Sequence, residues 1–83
     1  MKKYFYCYKN DKIGVFNDPF EAPYEPERMI EAVGNMAKAN DDPKKHLEEL
    51  SLYRIFEFDD KSATIKYELE FLVSLSEFMK NGD

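Results

Sequence analysis

Few residues in this chain could do chemistry. There is one histidine, His46, and one cysteine, Cys7. A zinc site normally takes three or four nitrogen or sulfur ligands, so these two build none within one chain. A thiol nucleophile needs exposure and a neighbour that lowers its pKa. Cys7 shares a strand parity with Phe5, the position of a small buried hydrophobe. His46 stands among Lys44, Lys45 and Glu48 and reads as a helix-surface residue. The acidic pairs Asp41-Asp42 and Asp59-Asp60 lack the alternating acids and fixed glycine of a calcium loop. No glycine-rich phosphate loop and no Gly-x-Ser-x-Gly elbow occurs. The expectation is a protein that is not an enzyme and uses no metal or cofactor.

One pattern points to binding. Lys2, Lys3, Tyr4, Tyr6, Tyr8, Lys9 and Lys12 interleave bases with rings at the N-terminus. Single-stranded nucleic acid is often held this way: rings stack on unpaired bases, at roughly 1–3 kcal/mol per base, while lysines follow phosphate. Those seven residues are the candidate nucleic-acid-binding set. The competing reading is a half-buried strand with tyrosine hydroxyls at its rim. Charge cuts both ways. Residues 1–12 hold four lysines and one aspartate, a local +3, whereas the whole chain is −5. A globally acidic domain repels phosphate at long range. Lys38, Lys44, Lys45 and His46 form a second basic cluster, equally suited to a solvated helix end.

The elements that must position these residues follow from periodicity. Eighty-three residues predict a single domain spanning 1–83, with a modest core. Seven Phe and six Tyr supply apolar mass to fill it, and a homodimer is another route to burial. Lys3 to Lys9 reads as a strand, with Tyr4, Tyr6 and Tyr8 on one face and Phe5 and Cys7 on the other. Asn10-Asp11 offers a two-residue turn, and Lys12 to Phe16 a returning arm weakened by Gly14. Residues 17–26 carry three prolines and no period, so a loop is expected there.

Pro26 to Asn40 is the clearest helix. Proline suits its first turn, and Met29, Ala32, Val33, Met36 and Ala37 make one apolar stripe. Gly34 on this helix leaves room for another element to approach. Asp42 before Pro43 reads as the cap of a second short helix, Pro43 to Glu49. The best strand is Leu50 to Asp60, stopped by Asp59-Asp60-Lys61-Ser62. Ala63 to Glu68 alternates and reads as its hairpin partner. Residues 69–80 suit a helix about as well as a strand. The favoured reading is a strand through Leu75, then a helical turn from Ser76 to Lys80. The fold class is α+β: a small antiparallel sheet of four to five strands, one amphipathic helix on one face, and a second short helix. No apolar run reaches the roughly 18 residues needed to span a bilayer, and no signal-peptide core follows Met1-Lys2-Lys3, so a soluble intracellular protein is expected.

Several short motifs add a resemblance. They are Gly14-Val15-Phe16, Asp18-Pro19-Phe20, the helix stop Asn40-Asp41-Asp42-Pro43, Glu49-Leu50-Ser51-Leu52-Tyr53 with Phe58-Asp59-Asp60, and the tail Phe71-Leu72-Val73-Ser74. In this order they resemble the small nonstructural proteins of gokushovirus-type microviruses, bacteriophages with single-stranded DNA genomes. The resemblance spans nearly the whole chain, with a departure at Phe56, where that family often has glycine. It implies an accessory role in genome replication or packaging in the host cytoplasm. The implied partners are single-stranded DNA or a phage or host replication protein. The alternative is a protein-interaction module, a homodimer or a binder of a host or phage protein, without nucleic-acid contact.

Overall fold

The computed structural model describes residues 1–40 and 46–79. Its strands are β1 (Lys2–Asn10), β2 (Val15–Phe16), β3 (Phe20–Ala22), β4 (Leu50–Asp59) and β5 (Thr64–Ser74). One α-helix among the described residues, α1, spans Pro26–Ala39, and 3₁₀ turns cover Leu47–Glu49 and Leu75–Phe78. The fold is α+β, with every strand pair antiparallel. The order is β2-β1-β4-β5, and β3 joins β1 on the same edge as β2. β5 is therefore an edge strand.

The first hairpin is shorter than its sequence suggests. β2 keeps two residues, paired as Lys9↔Phe16 and Asn10↔Val15. Asn10 is the cause. Its side-chain oxygen accepts from the N–H groups of Lys12 and Ile13, at 3.0 and 3.2 Å, and its carbonyl accepts from Gly14 at 2.7 Å. Local bonds of this kind compete with the ladder. Gly14 then turns the chain with φ +72, where glycine avoids a Cβ clash. The expected loop also holds a strand: Phe20–Ala22 pairs with Tyr4–Tyr6. Pro19 and Pro23 bracket it, and three residues show no period.

α1 starts with Pro26 in its first turn and buries Met29, Val33, Gly34 and Ala37. It ends one residue before the expected Asn40, which is its C-cap. Gly34 has a packing reason: a Cβ there would meet the Phe78 ring at 2.7 Å. The second 3₁₀ turn thus packs close against α1. Of the expected second helix, Pro43 to Lys45 lie outside the described residues, and Leu47–Glu49 is a 3₁₀ turn. β5 runs without a break to Ser74, and the closing turn begins at Leu75 rather than Ser76.

The core gathers Tyr6, Ala22, Met29, Val33, Leu47, Leu52 and Leu75. Tyr4, Tyr8, Phe20 and Val73 pack at its rim. Fully burying a Leu or Val side chain stabilises by about 1.5–3 kcal/mol, so seven positions hold a fold of this size. All lie between α1, the 3₁₀ turns and one face of the sheet. No helix of the described residues is long and apolar enough to cross a membrane.

Candidate interaction surface

Cross-strand partners in an antiparallel sheet share a face. The register therefore sorts the sheet into two surfaces. On the inner face, toward α1, Tyr8 lies by Leu52 and Val73, Tyr6 by Arg54 and Glu70, and Tyr4 by Glu57 and Lys66. On the outer face, Lys3 lies by Phe58 and Ile65, Phe5 by Phe56 and Tyr67, and Cys7 by Tyr53 and Phe71. A bulge at Ile55 keeps these rows in step across β4.

The N-terminal strip is split between the two surfaces. Tyr6 is 0 % exposed, and its hydroxyl donates to the Tyr24 carbonyl at 2.5 Å. Burial is the main reason its pKa is pushed up to about 12. Tyr8 is half-buried, stacked on Phe20 at 5.5 Å between centroids, and burial raises its pKa as well. Tyr4 also packs on the core. Lys2 points to the same side and pairs with Glu57 at 3.7 Å. Lys3 and Lys9 belong to the outer face, and the Lys9 ammonium sits over the Phe16 ring at 5.5 Å. Lys12 is in the turn, 3.9 Å from Glu49. So Tyr4, Tyr6 and Tyr8 do not present a stacking platform beside Lys2, Lys3, Lys9 and Lys12. Their ring faces are used by the core. Both parities of this strand are apolar, so alternation alone could not say which one turns inward.

Cys7 is buried beneath outer-face rings, and desolvation raises its thiol pKa. That favours the neutral thiol over the nucleophilic thiolate. His46 is exposed, in left-handed backbone (φ 51), with Nδ1 3.7 Å from both the Glu48 and Glu49 carboxylates. This is a solvated charge cluster of small energetic weight.

Arg54 is the electrostatic centre of the inner face. Its guanidinium reaches Glu57 at 2.6 Å, Glu70 at 3.0 Å and Glu68 at 3.2 Å, while its Nε has no acceptor. Three carboxylates around one guanidinium leave that patch net acidic.

The outer face is different in kind. Phe5 and Phe56 stack at 4.4 Å. Tyr53 meets Phe16 and Phe71 edge-on at 5.1 and 5.6 Å. A shallow depression lies over Cys7, walled by Phe16, Ile55, Tyr67 and Leu69. On β5, four alternate side chains stand out: Ile65 is 62 % exposed, Tyr67 70 %, Leu69 45 % and Phe71 54 %. Val15 and Phe16 extend the apolar area from the other side. None of these residues carries a chemical signature of a site. The sequence signal for them is the alternation of Ile65, Tyr67, Leu69 and Phe71 with Lys66, Glu68 and Glu70, together with one long helix among the described residues. One helix covers one face of a sheet.

Comparisons with protein-family models, with curated proteins and with solved structures returned no match.

Proposed function

We propose that this chain acts as a self-associating protein-interaction module whose working surface is the β5 side of the outer sheet face. The observation that carries this reading is the row Ile65, Tyr67, Leu69 and Phe71. Every outward side chain along the middle of an edge strand is apolar and largely exposed. Contiguous apolar area of this extent marks an interaction site on a soluble protein. With roughly 150–250 Å² for a whole aromatic side chain, the exposed parts of these four, Val15 and Phe16 come to on the order of 600 Å² per copy. An apolar patch of that size is at the upper end for a monomeric protein.

A second copy suits this surface better than single-stranded DNA. Of the strip lysines, only Lys3 and Lys9 accompany the outer rings. Two lysines in a chain of net charge −5 give a weak electrostatic term. Aliphatic Ile65, Leu69 and Val15 add burial but offer no stacking to a base. An accessory role in phage genome production, as the resemblance implies, is compatible with such a module.

Size-exclusion chromatography with light scattering tests the reading. The expected result is a dimer that Phe71→Glu converts to a folded monomer. A monomer at all concentrations would overturn it. So would salt-sensitive binding of labelled single-stranded DNA to a monomeric chain, lost in Phe71→Glu and in Lys9→Glu.

A further inference from the structure

Resting on that self-association, we infer that two copies pair edge to edge through β5, antiparallel, about a two-fold axis at Tyr67. β5 is eleven residues long and has a strand on one side only. The other row of its main-chain N–H and C=O groups has no strand opposite it among the described residues, which makes it a template for another strand. An antiparallel self-pairing must place apolar side chains opposite apolar ones, because facing residues share a face. A two-fold axis between two residues would set each apolar side chain opposite a charged one, so the axis lies on a residue.

Charge selects which residue. Centred on Tyr67, the pairing sets Lys66 opposite Glu68 twice, Ile65 opposite Leu69 twice, and Tyr67 opposite its own copy. No like charges meet. Centred on Lys66, it places two lysines face to face; on Glu68 or Glu70, two glutamates; on Leu69, Glu68 against Glu70 twice. Ile65 and Phe71 fail on other grounds: an axis on Ile65 pairs only Thr64 to Lys66 within the strand, and one on Phe71 sets Glu70 opposite Leu72 and leaves Ile65 and Tyr67 without partners. The Tyr67 register also answers an imbalance within each copy. Glu68 and Glu70 share Arg54 with Glu57, which also pairs with Lys2, so three carboxylates meet two cations. Lys66 from the second copy supplies the missing positive charge beside Glu68. On the outer face the two rows then touch flank to flank across the axis, Ile65 against Leu69 and Tyr67 against its own copy.

A charge swap tests the register, read by sedimentation of the full chain. Lys66→Glu and Glu68→Lys, each alone, bring like charges opposite each other. Each is expected to weaken the dimer on the order of tenfold, with circular dichroism showing the same folded content. The double variant Lys66→Glu/Glu68→Lys restores the pairing. Tyr67→Cys should cross-link to its own copy on mild oxidation, because residues on the axis bring their Cβ atoms within disulfide reach. A dimer that Phe71→Glu breaks, but that ignores the charge swap and does not cross-link at Tyr67→Cys, overturns the register and leaves the self-association reading standing. A wild-type monomer overturns both.

Discussion

The two faces of the sheet use the same kinds of side chain for opposite ends. On the inner face, Tyr6 and Leu52 are 0 % exposed beneath α1. On the outer face, Tyr67 is 70 % exposed. A tyrosine on β1 is a core residue, and one on β5 is a surface residue, although both sit in alternating strands. The difference is not in the strands but in what covers them. The described residues hold one α-helix for two apolar faces, so the second face either lowers solubility or serves as an interface.

Substitutions separate the two roles. The largest expected effect is on the inner face. Leu52→Ala removes a fully buried side chain between β1, β4 and α1 and should cost about 2–5 kcal/mol of unfolding free energy in urea titration. Next comes Arg54→Ala. It leaves Glu57, Glu68 and Glu70 without their shared cation, at an expected cost of about 2–3 kcal/mol.

Tyr6→Phe is milder. It deletes the hydrogen bond to the Tyr24 carbonyl and should cost about 1 kcal/mol. It also carries a pH signature. The folded-state pKa of Tyr6 is raised to about 12 from 10.0, so its contribution is fully present below pH 10 and is lost as pH rises through about 12. Wild-type stability should fall over that window more steeply than that of Tyr6→Phe, in thermal melts at pH 9 and pH 11. Equal slopes would show that the phenol is not desolvated in the folded chain. The smallest effect on the fold belongs to the outer face. Tyr67→Ser should move monomer stability by about 0.5 kcal/mol or less, because 70 % of Tyr67 already meets water. Its effect should fall on association instead. A large loss of stability in the monomer would erase the distinction between the faces.

The fold was largely legible in the sequence, and the reasons are local. Pro26 and the stripe from Met29 to Ala37 set α1, and Asp59 to Ser62 set the β4–β5 turn, as the structure shows. β3 was not legible, because three residues between prolines carry no period. The long β5 was legible only in part. Beyond Glu68 its outer positions suit a helix nearly as well, and pairing with β4 decides the matter. The surface was harder to read than the fold. Tyr4, Tyr6 and Tyr8 alternate with Phe5 and Cys7, so either parity could have faced solvent. Only the placement of α1 and β3 turns the tyrosines inward. The outer-face residues lie on four strands, so their proximity is a property of the register and not of any stretch of chain.

We propose that the exposed row on β5 joins two copies. Sedimentation velocity over a concentration series, comparing the wild-type chain with Tyr67→Lys, tests it most directly. The expected result is a concentration-dependent dimer for the wild type and a folded monomer of unchanged secondary structure for Tyr67→Lys. Identical sedimentation of the two proteins at every concentration would contradict it.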